Sequence, residues 1–250
     1  VSMKTILFGY GRAGKIHYKN ILSHSKLELT HIIDMNDKLE VNKNIEVVNV
    51  NNKEKIENLF LDSSIKVVIV TTPTKTHYDI VIKALLNNKH VFVEKPITEQ
   101  ISQINDCFNL AKKNNLILFV GYNRRYDPKI RNIKSRVESN EIGNVKYALT
   151  ISRDYPYPQD SFLKICSGIF HDCATHDIDY LNWILNDKPI SVNVSVDNNK
   201  DKEDYNYDYV LVNLNYSQGA TTCLNLSRIS SSYDQRCEFY GEKGEIINNN

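Results

Sequence analysis

The stretch KTILFGYGRAGKIHYKN (residues 4–20) decides the fold. KTILFGY (4–10) is an apolar run of strand length that ends in glycine, and a helical stretch follows to about Ser23. Gly9-Tyr10-Gly11-Arg12-Ala13-Gly14 therefore stands between a strand and a helix start. A GxGxxG there has a physical reading. Gly9 allows the tight turn, Gly11 lets a pyrophosphate approach the backbone, and Gly14 lets the helix pack closely on the strand. The helix N-terminus offers free N–H groups and a positive dipole end to phosphate. The second strand, LELTHIID (27–34), ends in Asp34, 34 − 14 = 20 residues after Gly14. That is about the spacing of an acid that takes the ribose diol. A carboxylate there repels the extra phosphate of NADP, and no Arg follows at once, so the expected cofactor is NAD. The competing reading of Asp34 is a strand-end turn residue.

Outward from this stretch, strands and helices alternate. IEVVNV (45–50) reads as a strand and Glu54–Leu61 as a helix; IKVVIVTT (65–72), HVFVEKP (90–96) and LILFVGY (116–122) read as further strands. Thr76 and Asp79 have capping-box spacing before the apolar face Ile80, Val81, Ala84, Leu85. Near-continuous apolar strands alternating with helices predict a parallel sheet covered on both faces, an α/β Rossmann-type dinucleotide-binding domain over 1–122. After Tyr122 the pattern changes. A helix (about 128–139), a strand (145–154), a helix (about 170–185) and alternating strands predict an α+β substrate-binding domain over 123–250 with a mostly antiparallel open sheet. YDYVLVNLNYS and ATTCLNLS, joined at Gln218-Gly219, read as a hairpin. DNNKDKEDYNYD (197–208) reads as a polar loop.

Composition limits the function. The 250 residues carry 31 Lys+Arg against 30 Asp+Glu, a net charge of +1. That argues against a nucleic-acid or acidic-membrane partner, both of which call for a basic excess. No apolar run approaches the ~20 residues of a membrane helix. Nor does the N-terminal stretch have the order of a signal peptide. Five widely spaced cysteines suit free thiols in a reducing, cytoplasmic setting.

Two further segments carry chemistry. Glu94-Lys95-Pro96 ends a strand, and ligands of open α/β sheets bind beyond the carboxyl ends of strands. Lys95 can there stabilise a developing oxyanion, and a cis bond at Pro96 would fix its direction. The second segment is Gly168-Ile-Phe-His-Asp172-Cys-Ala-Thr-His176. On a helix, Asp172 and His176 are i and i+4 and share a face. A carboxylate beside an imidazole orients it and raises its basicity, which suits a general base. The bland reading is a helix opening with acids that complement its dipole. A metal set of Cys166, His171, Cys173 and His176 is poor, since 171 and 173 face apart, so no metal is expected. In Gly121-Tyr-Asn-Arg-Arg-Tyr-Asp-Pro128, Arg124 or Arg125 can bind substrate hydroxyls or make structural ion pairs.

Together GYGRAG, TTPTKTHYDIVIKALLNNKHVFVEKPIT, GYNRRYDP and SGIFHDCATHDIDYLNWIL resemble the glucose–fructose oxidoreductase / inositol dehydrogenase (Gfo/Idh/MocA) family, the inositol dehydrogenase branch most. The resemblance implies NAD held by Gly9, Gly11, Arg12, Ala13, Gly14 and Asp34, with Thr72, Pro73 and His77 on the nicotinamide side and Glu94 among the cofactor positions. It implies a catalytic trio of Lys95, Asp172 and His176, and substrate positions Asn123, Arg124 and Tyr233. The implied reaction oxidises a secondary hydroxyl of a cyclitol or sugar, myo-inositol first, by hydride transfer to nicotinamide. The alternative is a non-enzymatic NAD- or sugar-sensing protein on the same fold. Homo-oligomers through the C-terminal sheet are implied as well. The chain departs from the family pattern in having Cys166-Ser167-Gly168 where a Gly-Gly pair is usual. It also stops at GEKGEIINNN, short of the usual length, so the family's last helices and strands are expected to be missing.

Overall fold

The computed structural model describes residues 2–164, 166–197 and 207–249. Residues 198–206 of the expected polar loop lie outside the described residues. The chain divides into two units, 1–121 and 122–250.

In the first unit the strands are β1 (Met3–Phe8), β2 (Leu27–Asp34), β3 (Glu46–Asn49), β4 (Ile65–Val70), β5 (His90–Val93) and β6 (Leu118–Val120). Helices α1 (Arg12–Ser23), α2 (Lys53–Leu61), α3 (His77–Leu86) and α4 (Ile101–Lys113) lie between them. All strand pairs are parallel, in the order β3-β2-β1-β4-β5-β6. This is the doubly wound order, whose direction of winding reverses between β1 and β4. Alternate residues of β1 serve the two faces. Ile6 and Phe8 join one buried cluster with Val68, Val81 and Leu85, while Leu7 joins another with Ile21, Ile32 and Ile69. Both faces are covered, which explains why the strands read as unbroken apolar runs.

One expectation fails locally. Thr76 is the N-cap of α3, but its side chain makes no capping bond. Its hydroxyl instead meets Thr72 Oγ1 and the Pro73 carbonyl, because a 3-10 turn (Thr74–Thr76) leads directly into the helix.

The second unit holds α5 (Pro128–Glu138), β7 (Val145–Arg153), the single turn α6 (Asp160–Leu163), α7 (Thr175–Leu185), β8 (Pro189–Val196), β9 (Tyr209–Tyr216), β10 (Thr221–Ser227), β11 (Asp234–Gly241) and β12 (Glu245–Asn248). The sheet order is β12-β11-β7-β10-β9-β8. Its pairs are antiparallel except β7–β10, which is parallel. The β9–β10 hairpin turns at Gly219, whose φ of +93° suits glycine. One sheet face packs on α5 and α7 through Ala148, Val212, Leu224 and Phe239 against Ile133, Tyr180 and Ile184. The helix expected over 170–185 is in two parts: a π-helical turn (Phe170–Ala174) precedes α7. Such turns are rare and often stand at functional sites. Among the described residues no helix is long and apolar enough to cross a membrane.

Candidate active site

The glycine turn is fixed by packing at two of its three positions. Gly9 has a φ of +88°, and a Cβ there would come 2.8 Å from the Thr71 carbonyl oxygen. A Cβ on Gly14 would come 2.2 Å from the Gly9 carbonyl oxygen. The Thr71 hydroxyl reaches the Phe8 and Gly9 carbonyls at 2.9 Å each, tying the end of β4 to the turn. Gly11 differs. It is the N-cap of α1, and nothing lies within 4 Å of where its Cβ would be. The open space faces the start of α1, whose first turn has no acidic residue. Unpaired N–H groups and the helix dipole make that end receptive to phosphate.

Asp34 stands beside the same turn. Its Oδ2 accepts from the Tyr10 backbone N–H at 2.7 Å and its Oδ1 from Asn36 N–H at 2.9 Å. A cleft of about 520 Å³ opens here, lined among others by Tyr10, Gly11, Lys15, Asp34 and Asn36. Turn, acid and open approach fit a dinucleotide with its pyrophosphate at α1 and its ribose at Asp34.

Beyond β5 the Lys95–Pro96 bond is cis. Glu94 Oε1 lies 2.7 Å from His17 Nε2 of α1, and the His17 ring packs on Phe92. Burial opposes ionisation of Glu94, but the His17 contact, the Lys95 N–H and the Lys95 charge together hold its pKa below the usual value. His77 is 1% exposed, with Nδ1 2.9 Å from the Pro96 carbonyl and Nε2 2.7 Å from the Thr72 carbonyl. Burial lowers its pKa against these two partners. His77 thereby ties the Thr72 and Pro96 segments together. Pro73 is exposed at the 3-10 turn, and Lys95 is half-buried.

In the second unit, Asp127 caps α5 with its carboxylate and Pro128 opens the helix. This ends a 3-10 turn, Asn123–Tyr126, that carries both arginines. The two arginines have different partners. Arg125 is bidentate on Asp179, at 2.7 and 2.5 Å, over the Trp183 ring. Arg124 donates to the Gln235 amide oxygen at 2.5 Å. The same oxygen meets Ser152 Oγ at 3.0 Å, and Ser152 Oγ lies 2.7 Å from Asp177 Oδ2. Thr150 Oγ1 donates to that Asp177 oxygen at 2.9 Å. Asp177 is 1% exposed; burial raises its pKa, opposed by Ser152, the Arg124 charge and Thr150. Asn123 and Tyr233 are exposed, Tyr233 just before β11.

The π turn places Asp172 beside Arg228, whose Nη2 donates to Asp172 Oδ2 at 3.1 Å. The i, i+4 relation of Asp172 to His176 therefore crosses from the π turn into α7, so an ideal α-helix does not describe it. The Tyr122 ring meets the His176 ring edge-on at 6.3 Å. Ligand atoms of Asp154, Asp172 and Cys173 lie within 4.8 Å of one another, a different set from the metal grouping weighed in the sequence. Arg228 already brings positive charge to that set. His171 Nδ1 meets the Ser167 carbonyl.

Two family models match the chain: an oxidoreductase family with an NAD-binding Rossmann fold over residues 3–122, and the Gfo/Idh/MocA C-terminal domain over 130–247. The chain belongs to the Gfo/Idh/MocA oxidoreductase family. It is 32% identical to the myo-inositol 2-dehydrogenase of Thermotoga maritima, across 99% of this chain and 75% of that one. It is 34% identical to the NAD(+) scyllo-inositol 2-dehydrogenase of Bacillus subtilis, across 74% of this chain and 56% of that one. A crystal structure of a myo-inositol dehydrogenase from Corynebacterium glutamicum aligns with a TM-score of 0.86 at 30% identity, across 100% of this chain and 76% of that one.

This Gfo/Idh/MocA member is thus an NAD-dependent oxidoreductase with a Rossmann domain and a second, mostly antiparallel sheet. Sequence reasoning missed Arg228, Gln235, Ser152 and His17. Each lies far along the chain from its partner and in no motif. The hydrophobic alternation of β7 and β10 predicted strands but carried no signal for the polar residues at their ends.

Proposed function

We propose that the chain oxidises a secondary hydroxyl of a cyclitol or closely related sugar, with myo-inositol the leading substrate. The observation that carries this is the shared substrate class in the names of relatives at 30–34% identity. In this reading the first unit binds NAD through Gly9, Gly11, Arg12, Ala13, Gly14 and Asp34. Thr72, Pro73 and Glu94 belong to the cofactor side. NAD, when bound, supplies the hydride acceptor.

The chain's own residues supply the acid–base and electrostatic work. Lys95 Nζ hydrogen-bonds the substrate oxygen and stabilises its developing negative charge. An imidazole nitrogen of His176 takes the hydroxyl proton as general base, and the Asp172 carboxylate stabilises the resulting imidazolium. Asn123, Arg124 and Tyr233 recognise neighbouring hydroxyls. The Arg124 position is supported by its tie to Gln235, which holds a long side chain in one geometry. Exposed apolar side chains on β8, such as Ile190 at 71%, support pairing of two copies through the second sheet. The five free cysteines support a cytoplasmic setting.

The test is NADH formation by the purified chain with NAD or NADP against myo-, scyllo- and chiro-inositol, glucose and xylose. Turnover with NAD and one cyclitol is expected. Turnover of a sugar alone would overturn the cyclitol assignment. Loss of turnover in Lys95→Ala and His176→Ala, with NAD binding retained, checks the residue roles.

A further inference from the structure

Arg228 has no part in the reaction just described, yet it is 1% exposed and heads the largest fully buried side chains. It follows β10, its backbone N–H held by the Asp208 carbonyl at 2.7 Å. Its Nη2 donates to Asp172 Oδ2 at 3.1 Å and reaches Cys166 Sγ at 3.4 Å. A guanidinium is costly to bury unless a charge and hydrogen bonds compensate it, and Asp172 supplies both.

The groups around Asp172 and His176 come from several elements. Asp154, after β7, lies 3.4 Å from Cys173 Sγ, and Cys173 Sγ lies 3.7 Å from Asp172 Oδ2. Cys166 faces Arg228, and the Tyr122 ring faces His176. Burial holds the Cys173 and Tyr122 side chains in their neutral forms. Among the groups just named, the carboxylates of Asp172 and Asp154 stand against the Arg228 guanidinium. Asp172 itself sits on a π turn, where its backbone departs from the α-helical ladder.

We propose that Arg228 is the positioning residue of the Asp172–His176 pair, fixing the Asp172 carboxylate and setting how basic His176 becomes. This rests on the roles given to Asp172 and His176 above. A carboxylate raises the pKa of a neighbouring imidazole, and a guanidinium on that carboxylate offsets part of the effect. Arg228 therefore keeps the Asp172 carboxylate aimed while leaving His176 able to accept a proton at lower pH.

The experiment is a histidine-ring NMR titration of the whole chain, with the His176 signal assigned by its loss in His176→Gln, followed by steady-state kinetics. Arg228→Gln is expected to raise the His176 pKa by about one unit. It should lower kcat about tenfold with KM little changed. Combined with Asp172→Asn, it should cost no more than Asp172→Asn alone, since the two act as a unit. An unmoved His176 pKa in a folded Arg228→Gln protein, or fully additive losses, overturns the proposal. Should Arg228→Gln not fold, Arg228→Lys decides. It keeps the buried charge but loses the planar fork, so kcat is expected to fall severalfold, and wild-type kcat overturns the positioning role. A protein that turns over no polyol, yet whose His176 pKa still moves in Arg228→Gln, removes the substrate reading and leaves this pairing standing.

Discussion

The glycine turn of the first unit and the polar cluster of the second are built in opposite ways. The turn uses backbone and absence: at Gly9 and Gly14 a Cβ would strike carbonyl oxygens, and at Gly11 it would fill open space. The cluster uses side chains from separate elements, with Arg124, Thr150, Ser152, Asp177 and Gln235 drawn together across up to 111 positions of chain. A backbone site is written in one contiguous motif, because neighbouring residues make it. A side-chain site is written across the fold, and each member is individually ordinary.

The largest expected effect separates the glycines themselves. Gly14→Ala forces the turn open against backbone and should cost about 3 kcal/mol of stability, with NAD binding lost. Gly11→Ala should leave stability within about 0.5 kcal/mol and still weaken NAD about tenfold, because its methyl group occupies the approach space. Denaturant titration and NAD titration of both variants check this. Equal destabilisation by the two would break the division between a packing glycine and a binding one.

Next in size is Asp177. Asp177→Ala leaves the Thr150 and Ser152 hydroxyls without their acceptor and should cost about 2–3 kcal/mol. The pH dependence has a definite sign. Burial raises the Asp177 pKa in the folded protein, so the folded state holds the proton more tightly. Stabilisation from this group is full below the unfolded pKa and is lost as pH rises through the folded one. The stability of wild type minus Asp177→Asn should therefore fall as pH rises from the ordinary carboxyl range, and a difference that grew with pH would contradict the burial argument.

The adjacent arginines sharpen the comparison further. Arg125→Ala breaks a partly exposed bidentate pair with Asp179 and should cost about 1 kcal/mol with kcat/KM nearly unchanged. Arg124→Ala should raise KM about tenfold with less effect on stability. Reversed outcomes would exchange their roles. A loss like that of Arg125→Ala, about 1 kcal/mol, is expected at His17→Ala from the lost contact with Glu94. Because the folded pKa of Glu94 lies below its usual value, that contribution is present above the unfolded pKa and lost as pH falls through the folded one. Thermal melts of wild type and variant across acid pH measure it.

Legibility in the sequence followed the range of the interactions. The parallel sheet was readable because β4 and β5 are buried on both faces and leave continuous apolar runs. The β9–β10 hairpin was readable because its turn is local to Gln218-Gly219. The capping box at Thr76 misled, because the preceding Thr72-Pro73 turn competes for the same hydroxyl. A helical wheel treated Asp172 and His176 as one face of a regular helix, and no wheel foresees a π turn.

The sequence by itself determined the Rossmann unit and NAD as its cofactor, and it marked Asp34, Lys95, Asp172 and His176 as chemical candidates. Local steric rules and periodicity act over a few residues, so a single stretch records them. Only the tertiary structure decided that Arg125 is spent on Asp179 while Arg124 meets Gln235, that His77 is buried between two carbonyls, and that Arg228 stands against Asp172. Charges and hydrogen bonds act between whichever groups the packed core brings within about 3 Å, and that proximity exists only once the sheets have formed.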